Sequence, residues 1–212
     1  MQRRLFHSLA AMLLTVVVAW TPPTAMAADE PPDAVIQRLS NSVLENIRSD
    51  KSVREGDLTQ VMALVDAKIM PNVNFKRMTA SAVGPAWRQA SAEQQARLQE
   101  EFKILLVRIY AGALAQVSDQ TILIKPLRAA PQDQEVLVRT EVRGRGDPIQ
   151  LDYRLEKTPG EGSGWKIYNL NVLGVWLVET YRSQFAREIN NSGIDGLIKV
   201  LTERNKANIN KS

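Results

Sequence analysis

Residues 121–172 read TILIKPLRAAPQDQEVLVRTEVRGRGDPIQLDYRLEKTPGEGSGWKIYNLNV. Before this stretch the apolar residues recur every three or four positions; from Gln120 the period falls toward two. Ile122 and Ile124 alternate with Thr121, Leu123 and Lys125 until Pro126. Val136, Val138 and Val142 alternate with Leu137, Arg139, Glu141 and Arg143, and Leu151, Tyr153 and Leu155 with Asp152, Arg154 and Glu156. A fourth strand is expected from Trp165 through Ile167 to Val172. Pro131-Gln132-Asp133, Gly144 to Pro148 and Pro159 to Gly164 hold turn chemistry between them. Connections this short imply an antiparallel meander of four strands, apolar on one face and polar on the other.

Outward from the meander the helical period takes over. A helix is expected from Asp33 to about Ser49, with Val35, Ile36, Leu39, Val43 and Ile47 on one side. A second follows Asp57, a natural N-cap, and ends at Pro71. Ser91 to Gln94 has the form of a capping box, and the helix it opens is the longest in the chain. Its stripe is Leu98, Phe102, Leu105, Leu106, Ile109, Tyr110, Ala113, Leu114 and Val117. Beyond the meander, a helix starting near Gly174 is expected to turn Val175, Val178, Tyr181, Phe185 and Ile189 inward. A last helix runs from Asp195 to about Asn205. Helices, then a sheet, then helices predict an α+β layer fold.

Composition narrows the function. The chain has 212 residues, 27 bases against 23 acids, one His and no Cys. Arg3-Arg4, the apolar run Leu9 to Ala19, Pro22-Pro23 and Ala25-Met26-Ala27 have the anatomy of a secretory signal peptide, residues 1–27. Cleavage after Ala27 would remove two bases and the only histidine, His7, leaving 185 residues with a net charge of +2. Thiolate catalysis, disulfides, His-assisted triads and the usual zinc sites are then excluded. A net charge this small also argues against nucleic acid as a partner.

The chemistry-bearing motifs are absent or have ordinary readings. Gly144-Arg145-Gly146 reads as a hairpin turn. Gly160 to Gly164 is glycine-rich but has no following helix and no Lys-Ser/Thr, so it lacks phosphate-loop logic. Ser163 has no nucleophile-elbow spacing. Glu100 and Glu101 read as a solvated helix face, and Asp147 and Asp152 as turn and outward strand residues. What stands out is apolar surface in excess. Either the layers close into a filled core, or they stay apart and enclose a cavity of lipid size. In the second case the candidate lining is Val73, Phe75, Met78, Trp87, Leu106 and Tyr110 from the helices before the sheet. The sheet would add Val138 and Tyr153, and the closing segment Val175, Trp176, Val178, Tyr181 and Phe185.

The stretch Gly164 to Phe185, GWKIYNLNVLGVWLVETYRSQF, resembles the GW-x-I/V-Y-D … G-V-S-L-V-x-N-Y-R-x-Q-F stretch of the MlaC, or toluene-tolerance, family. Ile69-Met70-Pro71 with Val73, Phe75, Met78, Gly84 and Trp87 is similar to that family's I-L-P-x-V-D-F-x-x-M … G-x-x-W. Ala90-Ser91 through Gln95, then Phe102, Leu105, Leu106, Tyr110 and Ala111, continue the likeness. Asn74 and Asn169 stand where the family pattern has Asp, Trp176 where Ser is common, and Thr180 where Asn is common.

The resemblance implies a periplasmic, monomeric, single-domain phospholipid carrier over residues 28–212. It further implies a curved antiparallel sheet of the cystatin and nuclear-transport-factor type. The implied partners are phospholipid, an outer-membrane lipoprotein–porin complex and an inner-membrane ABC transporter with an MCE subunit. The role implied is retention of outer-membrane lipid asymmetry, with no catalysis, metal or cofactor. An enzyme on a similar scaffold and a filled, structural transporter adaptor are the rival readings. Docking to the partners is expected to be partly electrostatic, through Arg88, Arg97, Lys103, Arg143, Arg145 and Arg182.

Overall fold

The computed structural model describes residues 30–117 and 119–207, so the expected signal peptide and its cleavage point lie outside the described residues. Helix α1 is Pro32–Ser49, with Pro early in its first turn, Asp33 beside it and Arg48 in the last turn, all matched to the helix dipole. Asp50 and Asp57 cap the short helices α2 (Lys51–Arg54) and α3 (Leu58–Leu64). A wide π turn, Val65–Ile69, and a 3₁₀ turn, Met70–Asn72, carry the chain past Pro71. Asn74 caps α4 (Phe75–Val83), and Gly84 ends it at φ +74, where a side chain would strain the backbone. The capping box at α5 (Ala92–Ala115) is complete: Gln94 N–H donates to Ser91 Oγ (3.1 Å) and Ser91 N–H to Gln94 Oε1 (2.9 Å).

The sheet has strands β1 (Thr121–Ile124), β2 (Glu135–Arg143), β3 (Ile149–Lys157), β4 (Trp165–Val172) and β5 (Val175–Trp176), in that spatial order and antiparallel throughout. The fifth strand corrects the expected four. Val175 and Trp176 pair with Val172 and Asn171, so the closing helix α6 (Leu177–Ala207) starts three residues later than expected. Leu173-Gly174 makes the connecting turn with both residues at positive φ, unusual for Leu. One β-bulge interrupts the ladder. Leu155 faces Ile167 and Arg154 faces Asn169, which leaves Tyr168 as the extra residue on β4. Below the bulge the free edge of β4 is covered by Val73, whose neighbour Asn74 donates its N–H to Ile167 O (2.8 Å); above it, by β5.

Three apolar clusters hold the layers together. α1 lays Val35, Ile36 and Leu39 on the sheet against Val136, Val138, Leu155, Trp165 and Ile167. Helices α4, α5 and α6 form a second cluster around Phe102, whose ring is 4.9 Å from Tyr181 and 5.2 Å from Phe185, both edge-on. A third joins Ile47, Val53, Val61 and Leu64 to Val107 and Ala111 of α5. α6 breaks at Gly193 (φ +71), and its second half is tied back to α5 by Asn205, which donates to Glu101 O (2.9 Å) and Oε2 (2.7 Å). Glu101 is therefore buried, not on a solvated face, because Asn205 and Arg97 satisfy its carboxylate. Asp152 does point away from Tyr153, as alternation requires, yet it is buried too, with Gln150 donating to Oδ2 (2.8 Å).

Candidate functional site

The side of the sheet that faces the helices changes character along its length. The register places Val136, Leu155 and Ile167 in one row, then Val138, Tyr153 and Leu170, then Ile124, Thr140, Leu151 and Val172. The last row is Ile122, Val142 and Ile149, with Val175 beside Val172. The first row is fully covered, with Leu155 at 0% exposure. In the middle rows Tyr153, Leu151, Leu170 and Val172 are only half-buried. At the last, Ile149 is 42% and Val175 52% exposed. Apolar side chains on an inner face lose their cover progressively toward the β2–β3 turn.

The stripe of α5 does the same. Leu98, Phe102 and Leu105 are buried, Leu106 and Tyr110 half-buried, and Ile109 is 50% exposed. Five residues join α5 to β1, so the C-terminal end of α5 lies at the end of the sheet where β1 begins and cover is lost. Two apolar walls thus open at one end of the molecule. Beside them, between α1 and β1, lies a groove of about 560 Å³ with Leu44 and Ile122 among Asn41, Glu45, Arg48 and Gln120. Leu173 stands exposed at the same end, its backbone N–H donating to Gln150 O (3.0 Å).

Nine of the candidate lining residues come together in or against the helical cluster: Val73, Phe75, Met78, Trp87, Leu106, Tyr110, Val178, Tyr181 and Phe185. Val138 and Tyr153 belong to the cluster under α1. Val175 sits exposed at the open end. Trp176 stands apart, because its partner Asn171 is on the outer face; there it lies under Arg154, whose guanidinium is 3.9 Å from the ring. Sequence reasoning passed over Ile122, Val142, Leu151, Leu170 and Val172; strand alternation with a fixed register would have found the first three, while Leu170 and Val172 lie beyond the bulge, which reverses their parity.

Three tyrosines mark the interior. Burial pushes Tyr181 up to about 12, with Tyr110 nearby adding to the rise, and burial also raises Tyr110. Burial raises Tyr153 as well, against hydrogen bonds from Thr140 and Ser40 that favour its ionised form. Among the described residues no group of His, Cys, Asp or Glu could hold a metal ion, and no helix is long and apolar enough to cross a membrane. The expected docking bases are mostly engaged. Arg97 pairs with Glu101 (2.8 Å), Lys103 with Asp66 and Glu100 (3.2 Å each), Arg143 with Glu141 (2.7 Å) and Arg145 with Asp119 (3.2 Å). Arg182 Nε donates to Ser81 O (3.0 Å).

The profile of the MlaC protein family matches residues 37–203. The chain belongs to the MlaC family. Among curated relatives of this family, the Haemophilus influenzae intermembrane phospholipid transport system binding protein MlaC is 26% identical over 190 residues, 88% of each chain. The Pseudomonas putida toluene tolerance protein ttg2D is 28% identical over 184 residues, 86% of this chain and 83% of its own. A solved structure, that of the phospholipid-binding protein from Ralstonia solanacearum in complex with a phospholipid, superposes with a TM-score of 0.80. It is 47% identical and covers 84% of this chain and 98% of its own.

Two departures from the family pattern share one explanation. Asn74 Oδ1 accepts from Arg77 N–H (2.9 Å) to cap α4, while its Nδ2 donates to Glu156 Oε1 (2.6 Å). Asn169 Oδ1 accepts from Val178 N–H (3.2 Å) at the start of α6, while its Nδ2 donates to Glu179 Oε2 (2.8 Å). An Asp could cap either helix but would set a second carboxylate against the glutamate. Where a glutamate is the neighbour, the amide is the side chain that serves both needs.

Proposed function

We propose that this protein is a periplasmic phospholipid carrier, monomeric and exported with loss of residues 1–27, whose residues 28–212 form one lipid-binding domain. The observation that carries the reading is the coincident loss of cover on the inner sheet face and on α5. Apolar walls that open together suit acyl chains between the layers with the headgroup at the mouth, and the Ralstonia relative is a phospholipid-binding protein solved in complex with a phospholipid. The carrier takes lipid from and gives it to an outer-membrane lipoprotein–porin complex and an inner-membrane ABC transporter with an MCE subunit. In this way it helps keep the outer membrane asymmetric. Lining candidates are those gathered around the helical cluster, together with the inner-face residues of the open half.

Energetics shape how such a carrier works. Two chains of about 14 buried methylenes each, at about 0.8 kcal/mol per methylene, give about 22 kcal/mol relative to water. That reaches the practical ceiling of non-covalent affinity, so escape into buffer is negligible. A bilayer or an apolar partner channel buries the same methylenes equally well, so transfer between them is nearly balanced. Direction then comes from the partner complexes and from ATP. Solvent extraction of purified protein followed by mass spectrometry tests the reading: stoichiometric phospholipid that survives dialysis and departs on mixing with acceptor vesicles and an MCE subunit is expected. Protein free of phospholipid, or lipid lost to buffer alone, overturns it.

A further inference from the structure

Within that carrier reading, we propose that Tyr153 is the floor of the cleft and sets the length of acyl chain it accepts. The inner face has a boundary, and Tyr153 stands on it. On one side its ring packs against the filled cluster of Val136, Val138, Leu155 and Ile167 under α1. On the other, the inner-face residues Leu151 and Val172 are only half-buried, and beyond them Ile149 and Val175 are exposed. Tyr153 is itself half-buried, the condition of a side chain with one packed face and one open face.

The ring is fixed in place. Its hydroxyl is in hydrogen-bond reach of Thr140, its neighbour on β2, and of Ser40 on α1. Thr140 is fully buried and anchored in turn, its Oγ1 donating to Leu151 O (2.9 Å). The Ser40–Tyr153–Thr140 contacts therefore cross from helix to sheet at the depth where the open half ends. A methyl terminus arriving from the mouth meets a tethered phenol, and displacing it would leave buried hydroxyls without partners. Beyond it the interior is packed, and further methylenes could enter only at the expense of core contacts.

The test loads lipid-free protein from vesicles of saturated phosphatidylethanolamines of graded chain length and reads the bound acyl lengths by mass spectrometry. Tyr153→Ala removes a volume of about four methylenes and is expected to lengthen the preferred chain by about two to four carbons. Tyr153→Trp should shorten it. Ser40→Ala, which keeps the ring but cuts the tie to α1, should broaden the distribution toward longer chains. Leu155→Ala lies in the filled cluster, loses comparable packing and should leave the length profile unchanged. If Tyr153→Ala does not fold, Tyr153→Trp and Ser40→Ala decide alone. Unchanged acyl lengths in the Tyr153 and Ser40 variants that still carry lipid overturn the floor, as does a shift in Leu155→Ala equal to theirs. Native protein that takes up no phospholipid instead overturns the carrier reading, a separate outcome.

Discussion

The two halves of one sheet are made of the same strands and the same alternating residues, yet one half is core and the other is only partly covered. Under α1, Val136, Leu155 and Ile167 meet Val35, Ile36 and Leu39 and are closed off from solvent. A few residues along the same strands, Val142, Ile149 and Val172 present an equally apolar face to partial exposure. Strand chemistry does not distinguish them. What differs is the cover: Val35, Ile36 and Leu39 of α1 close over one half, while Ile149 and Val175 of the other half are left exposed, as is Ile109 of α5. The open half is a place where covering stops, not a place where different residues start.

The sharpest way to break this comparison is to truncate one leucine in each half. Leu155→Ala should lose about 2–5 kcal/mol, because its void lies in packed surroundings. Leu151→Ala should lose less than half as much, since its side chain already borders open space. Urea midpoints at unchanged m-value read both, and equal losses would mean that the open half is as filled as the closed one.

Alkaline titration probes the packed helical cluster next. Tyr181, raised to about 12 from an ordinary value of 10, stays protonated in the folded protein while the unfolded chain ionises. Its contribution is fully present below pH 10 and is lost as pH rises toward about 12, up to about 3 kcal/mol. Tyr181→Phe should flatten that slope in urea melts taken across the range. An unchanged slope would mean that Tyr181 is no better buried than a surface phenol.

Overpacking discriminates the halves by a smaller margin. Val138→Trp, in the filled row, should cost about 1–3 kcal/mol of stability. Val142→Trp, at the open end, should fold with little loss but carry less phospholipid, measured by extraction. A Val138 variant that folds normally and sheds lipid would move the boundary deeper than Tyr153.

Smallest is the helix cap just above the bulge. Asn169→Asp should cost about 1–2 kcal/mol near neutral pH, because its carboxylate would face Glu179. Adding Glu179→Gln should restore much of the loss in thermal melts. A double variant no better than the single one would assign the cost to something other than charge.

The sequence carried most of the architecture and less of the site. Alternation at Val136–Val142 and Leu151–Leu155 and the caps at Asp57 and Ser91 placed strands and helix starts where the structure has them. They are local effects, and local sequence contains them. The helix expected to run to Pro71, by contrast, ends as an α-helix at Leu64 and passes through a π turn and a 3₁₀ turn that contains Pro71. Val175–Trp176 was legible as apolar but not as a strand, because two residues of pairing depend on the turn at Leu173-Gly174. Glu101 and Asp152 looked solvated because each lies beside other charges, and only the fold brings Asn205 to one and Gln150 around the other. Trp87, Phe185 and the residues near them were legible as apolar. Which of them border open space depends on where one helix stops covering another, a distance between layers that no residue pattern encodes.

Tyr168 gives β4 one residue more than its partner needs, and the polarity of half a strand depends on it. Trp165 and Ile167 use one parity to face α1; Leu170 and Val172 use the opposite parity to stay on that same inner side of the sheet, with Asn169 and Asn171 turned outward. Closing the bulge with Tyr168 kept would set Tyr168 opposite Arg154 and send Asn169 and Asn171 inward and Leu170 and Val172 into solvent. Removing Tyr168 instead leaves Asn169 opposite Arg154 and both faces as they are. Tyr168 is thus an insertion that β4 absorbs as a bulge, and taking it out restores the frame of the strand in the way that removing an inserted base restores a reading frame.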